Sequence, residues 1–194
     1  KWDGNSWSAL DDGLDGIVRA LAVDSMGNLY AGGDFWNAGS LPVATIAKWD
    51  GTVWSALGGG MSGDMSGVSA LAVDGSGNLY AGGWFSVAGG VTANRIAKWN
   101  GSEWTSLGDG MNGGVEALAI DNEGNIYAGG YFTTAGGRSA QRIAKWNGSE
   151  WSSLDGGVDG AVIDIVADSH GNVYVAGNFT SAGDINAQRI AMWN

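Results

Sequence analysis

The chain has 194 residues, with 36 Gly, 11 Trp, 1 Pro and no Cys, and a formal net charge of −11 at pH 7. That charge argues against a nucleic-acid backbone or an anionic membrane surface as partner, and the lack of Cys excludes a disulfide framework. Glycine at this level often marks disorder, but 44% of the residues are hydrophobic, enough to build a core, and no apolar run approaches the ~20 residues of a membrane-spanning helix.

The chain opens on Lys1 rather than Met, which points to a processed, excised or engineered segment with any targeting signal out of view. Lys1-Trp2-Asp3-Gly4 reads as the back half of a hairpin, followed by a strand near Ser6–Leu10. Next comes Ala20–Phe35, two apolar runs around a polar tip, Asp-x-x-Gly-Asn. Asp bonds its own turn backbone and Gly supplies a positive φ, so this is a hairpin. It recurs as Ala70–Phe85, Ala117–Phe132 and, more loosely, Ile165–Phe179. A second hairpin follows each copy, as in Ala97–Trp104, where Asn100-Gly101 predicts a two-residue type I′ turn that pairs Lys98 with Glu103, as Lys145 pairs with Glu150. Tyr30, Tyr80, Tyr127 and Tyr174 are spaced 50, 47 and 47, and Trp2, Trp49, Trp99, Trp146 and Trp193 form a five-member series. The chain therefore divides into four repeats, approximately 1–47, 48–97, 98–144 and 145–194.

Each repeat reads as four short strands; in the third they are Val115–Asp121, Asn125–Phe132, Arg142–Trp146 and Glu150–Leu154. No segment carries a 3.6-residue apolar period over helical length. In Leu79–Phe85 both faces are apolar or small, which requires burial on both sides. The fold class is all-β: a β-propeller of four-stranded antiparallel blades, four per chain. The N-terminal strand lacks its first three companions and the last blade lacks its fourth, so pairing the two closes a ring and removes both edges. Closure within one chain makes a four-bladed monomer; closure between two makes an eight-bladed homodimer. Small residues on the inner strands favour the homodimer.

The pattern Ile-Ala-Lys-Trp-Asn-Gly-x-x-Trp, then Ala-Leu-Ala-Val-Asp-x-x-Gly-Asn-Leu-Tyr-Ala-Gly-Gly-x-Phe, resembles a repeat of secreted bacterial proteins and of the fungal Rax2-like cell-polarity markers. The likeness covers the whole chain. It implies β-propellers on extracellular or cell-surface proteins without an assigned catalytic site. Two copies depart from the pattern: the fourth has Tyr174-Val-Ala-Gly177 and Met192, and the first has Thr45 where Arg95, Arg142 and Arg189 stand later.

The candidate chemistry is sparse. His170, the single His, sits beside Asp168 and Ser169 on a hairpin tip, where a triad partner from elsewhere is missing. Gly58–Gly63 and Gly108–Gly113 fit G-x-G-x-x-G but no helix follows, so they read as loops between blades. The tips at Asp24, Asp74, Asp121 and Asp168 each offer one carboxylate, too few for calcium, and the acidic run Asp11–Asp15 reads as a solvated loop. Asn100, Asn147 and Asn178 open glycosylation sequons. The repeated Trp pairs read as packing between blades, whereas Trp36, Trp84 and Tyr131 break the repeat and are the candidate ligand-binding residues. The sequence therefore predicts a non-enzymatic structural or binding module that self-assembles by strand exchange, with a glycan or protein as ligand. No catalytic residue, metal, cofactor, nucleic-acid partner or membrane insertion is expected. A multivalent carbohydrate-binding lectin is the alternative, and a propeller hydrolase a third reading.

Overall fold

The computed structural model describes residues 1–63 and 65–194, and every regular element in it is a strand. Each repeat begins at its hairpin tip. The Asp24 carboxylate accepts hydrogen bonds from the Met26 and Asn28 amides, the Asn28 side chain and the Tyr30 hydroxyl, at 2.7 to 3.1 Å. One side chain thus closes the turn and ties it to the strand that leaves it. Asp74, Asp121 and Asp168 repeat the arrangement.

Those tips join the first two strands of four antiparallel sheets. Blade 1 is Ile17–Val23, Leu29–Asp34, Ile46–Trp49 and Trp54–Ala56. Blade 2 is Val68–Val73, Leu79–Gly83, Ile96–Trp99 and Trp104–Ser106; blade 3 is Val115–Ile120, Ile126–Gly130, Ile143–Trp146 and Trp151–Ser153. Blade 4 has three strands, Val162–Ala167, Val173–Gly177 and Ile190–Trp193. A two-residue hairpin, such as Thr134–Ala135 with Arg138–Ser139, interrupts each connection between second and third strands.

The second hairpin differs from expectation. Trp99 lies directly opposite Trp104, and Lys98 opposite Thr105 rather than Glu103. The Asn100 side-chain oxygen Oδ1 accepts the backbone amides of Ser102 and Glu103, which makes a four-residue loop capped by Asn100 in place of a two-residue turn. The Trp rings therefore stack at 5.3 to 5.4 Å in blades 1 to 3, and Glu150 reaches Arg138 at 2.8 Å instead of Lys145.

The core lies between blades. The second strand of blade 2 is buried throughout. Its Gly82 faces blade 3 so closely that a Cβ there would sit 2.5 Å from Val115 Cγ1; Gly32 and Gly129 meet Val68 and Val162 in the same way. Phe35, Phe85, Phe132 and Phe179 fill the layers, and the indole N–H of Trp54, Trp104 and Trp151 donates to the Leu10, Leu57 and Leu107 carbonyls at 2.8 to 3.0 Å. In blades 1 to 3 the fourth-strand Trp are packing residues, whereas Trp2 and Trp7 are exposed.

The ends are open. Trp7 bridges Trp2 within its own small hairpin, with Ser8 N–H donating to the Lys1 carbonyl at 2.7 Å, so the N-terminal strand is not in blade 4. Gly82→Ala is expected to cost about 1–3 kcal/mol by overpacking, read as a fall in thermal midpoint. Val115→Ala should recover part of that loss, while Gly75→Ala, which meets nothing, leaves the midpoint unchanged.

Candidate functional site

Near-identical blades make their differences informative. Each first strand carries a bulge, between Val18 and Ala20, Val68 and Ala70, Val115 and Ala117, and Val162 and Asp164. The extra residue is Arg19, Ser69, Glu116 or Ile163, a different type in each blade. A bulge re-aims a side chain out of the ladder. The end of the second strand varies likewise: Asp34, Trp84, Tyr131 and Asn178.

Both of these sets meet at one cavity of about 410 Å³ that runs between blades 1 and 2 and reaches blade 3 at Glu116, lined by Arg19, Asp34, Trp36, Thr45, Trp84 and Glu116 together with Met65 and small residues of the Ser66–Ser69 stretch. Arg19 donates to Asp34 Oδ2 through Nε at 2.7 Å and also through Nη2. That bond, and then the Asp34 charge, raise the Arg19 pKa further. The Trp84 indole N–H donates to Glu116 Oε1 at 2.6 Å. Its ring lies where Gly114 leaves room, since a Cβ there would come within 2.2 Å of it. Arg95, held in the left-handed region at φ 69°, donates to the Trp84 and Phe85 carbonyls and holds its guanidinium 6.0 Å from the Trp84 ring.

Of the three residues singled out in the sequence, Trp36 and Trp84 share this cavity. Trp36 is 60% exposed. Tyr131 is exposed and stacks on Trp84 at 5.9 Å, but it lines the next joint rather than the cavity wall. Arg19, Asp34, Thr45 and Glu116 were missed as site residues. The signal was available, because Arg19, Asp34 and Glu116 stand at positions that change type from repeat to repeat, and Thr45 stands where the other three repeats have Arg.

The remaining candidates do other work. His170 is 82% exposed, and its nearest acidic neighbour is the turn residue Asp168, 3.9 Å away. The G-x-G-x-x-G stretches are loops entering the joints, at Gly58–Gly60 and Gly108–Gly110. Each tip carboxylate is spent on its own turn, and among the described residues no three His, Cys, Asp or Glu side chains gather as a metal would need.

A family model described as a beta-propeller domain of unknown function, DUF5122, matches residues 75–101. No curated protein matches the chain. Among solved structures, the chain is similar to the extracellular domain of a hybrid two component system from B. thetaiotaomicron, with TM-score 0.58 and 14% identity over 94% of this chain and 22% of that one. The fold is a β-propeller. It is also similar to virginiamycin B lyase from Staphylococcus aureus (TM-score 0.54, 12% identity, 93% of this chain and 57% of that one). A gluconolactonase from Xanthomonas campestris gives TM-score 0.53 and 16% identity over 83% of this chain and 56% of that one. The chain thus spans between about a quarter and somewhat over half the length of these propellers.

The tips make the propeller acid-sensitive. Burial alone would raise the Asp24, Asp74 and Asp121 carboxyls, but hydrogen bonds from the following Asn, Tyr and turn amides outweigh it and hold them below the ordinary value. Tyr30 and Tyr80 are pushed up to about 12, by burial first and then by the Asp charge. A carboxyl with a depressed folded pKa stabilises fully above its unfolded value near 3.9, and that contribution is lost as pH falls through the folded value. The thermal midpoint should therefore hold from pH 7 to 5 and decline below about pH 4. Asp74→Asn with Asp121→Asn should lower the midpoint at pH 7 and flatten the acid decline; an unchanged acid slope would contradict the assignment.

Proposed function

We propose that this chain is a non-enzymatic structural and binding module of a secreted or cell-surface protein, and that two copies close into one eight-bladed ring. One observation carries the reading. In blades 1 to 3 a fourth-strand Trp fills a slot against the preceding Leu carbonyl. In blade 4 the corresponding slot is a cavity of about 200 Å³ lined by Leu154, Val158, Gly183 and Trp193. The residue whose repeat position matches that slot is Trp7, which is 79% exposed. The Trp7 strand of a second copy would enter blade 4 beside Ile190–Trp193, displacing the Lys1–Trp2 strand that now pairs with it.

The end faces support the same partner. Leu21 on blade 1 is 61% exposed and Ile190 on blade 4 is 66% exposed. Their repeat counterparts Leu71 and Leu118, and Ile46, Ile96 and Ile143, are packed inside the joints. Val18, Val23, Val166, Tyr174 and Met192 extend the two exposed faces. Fully burying one such side chain contributes about 1.5–3 kcal/mol, and a two-fold ring forms two joints at once. Ala176 stands where Gly32, Gly82 and Gly129 admit a valine, so this joint is wider than the internal three. The surface placement rests on the resemblance of the repeats and on the likeness to an extracellular domain. The non-enzymatic reading rests on the tip carboxylates being committed to turns and on His170 standing exposed on a tip with Asp168 3.9 Å away.

Sedimentation velocity over a dilution series tests the ring. The expected mass is twice the 19.8 kDa of the chain, and Trp7→Ala or Ile190→Asp should return it to one chain. Ala176→Gly should tighten association, and salt should strengthen it by screening a charge of −11 on each copy. A single-chain mass at 100 µM, or open polymers that grow with concentration, would contradict the closed ring.

A further inference from the structure

The 410 Å³ cavity between blades 1 and 2 is built from departures that blade 1 makes from its siblings. Thr45 replaces the arginine that caps the same carbonyls in blades 2 and 3. It is a β-branched residue held at φ 71° and fully buried, a conformation that such side chains seldom adopt. Where Arg95 lies across Trp84, the short Thr45 leaves an opening. The left-handed backbone is common to all four blades, with Arg95, Arg142 and Arg189 at φ 66° to 69°; what blade 1 changes is the side chain, and the cavity it leaves is of the size that small-molecule sites occupy (about 300–1,000 Å³).

Trp36 is the second departure, standing where Ser86, Thr133 and Thr180 occur. Its backbone is fixed three ways: its N–H donates to Asp15 Oδ1 at 2.8 Å, and its carbonyl accepts Val43 and Ala44 amides at 2.9 and 3.2 Å. Phe35 beside it is fully buried. An indole left in water on so rigid a base is a preorganised flat surface.

The charges select the ligand class. Asp34 and Glu116 face a single cation, Arg19, which Asp34 already holds, so an anion meets an excess of carboxylate. A cation meets one net negative charge, whose pull is opposed by Arg19 inside the cavity and by Arg95 over the Trp84 ring. What remains is an acceptor-rich wall: among the described residues Asp34 Oδ1 and Glu116 Oε2 receive no side-chain donor, and the Thr45 and Ser69 hydroxyls stand beside them. A neutral ring with several hydroxyls and an apolar face matches this wall. We propose that the cavity binds a neutral oligosaccharide, one sugar ring stacked on Trp36 with its hydroxyls donated to Asp34 and Glu116. The site lies within one chain and goes beyond the ring assembly, so either can stand without the other.

Titration calorimetry with saturation-transfer NMR tests it on the intact chain. The probes are neutral tetrasaccharides of gluco, manno, galacto and xylo configuration, with choline and trigalacturonate as charged counter-probes. At least one neutral probe should bind with a Kd below about 1 mM. Trp36→Ala should weaken it at least tenfold. Thr45→Arg, which restores the side chain of the other blades, should do the same while keeping or raising the thermal midpoint. The native mass measured on the same samples separates loss of sugar binding from loss of the ring. No neutral binding at 10 mM, binding indifferent to both variants, or preference for choline or trigalacturonate would overturn the proposal.

Discussion

A valine seated on a glycine joins each blade to the next. Val68 on Gly32, Val115 on Gly82 and Val162 on Gly129 set how closely the sheets approach, because a single added methyl would collide in each case. Around that contact the Phe and Trp side chains find their layers, and the second strands of blades 2 and 3 become buried on both faces. The contact is directional. Blades 1 to 3 each offer a glycine to the successor and blades 2 to 4 a valine to the predecessor, so the arc ends on two unlike faces, Val18 on blade 1 and Ala176 on blade 4.

The same directionality explains the surface. A residue inside a joint must match its counterparts in every repeat, since it meets the same neighbours. A residue at the bulge or at the end of the second strand meets solvent, and is free to differ. The differences therefore gather at one end of the inner strands, where Arg19 bonds Asp34 within blade 1 and Trp84 bonds Glu116 across the joint between blades 2 and 3. Blade 4 shows the converse. Asp164, Val166, Ala176 and Met192 replace Ala, Ala, Gly and Lys on the face of blade 4 that no blade of this chain covers.

Much of the fold was legible because repetition multiplies weak signals. One Asp-x-x-Gly-Asn is a plausible turn; four at constant spacing, each with a Tyr two residues beyond the Asn, define four hairpins. The bulges were not legible, since an extra residue in a strand of small side chains changes no composition. The turn at Asn100-Gly101 was misread because the Asn side chain, rather than the backbone alone, decides the loop. Of the cavity, only the two Trp stood out. Asp34 and Glu116 look like ordinary surface charges until the bulge and the missing arginine at Thr45 bring them to a common space.

The central claim is that the joint between blades continues past the ends of one chain into a second copy, with Val18 of one copy set against Ala176 of the other in place of valine on glycine. With no native Cys, paired cysteines report on it directly. Val18→Cys and Ala176→Cys occupy the two halves of that contact, whose internal equivalent brings the Cβ positions to 3.0 Å, close enough for a disulfide after the opening that a wider joint allows. Under mild oxidation the double variant should form a covalent species of twice the chain mass on a non-reducing gel, with both single variants unlinked. A link that closes within one chain, or no link while the native mass stays double, would contradict the account.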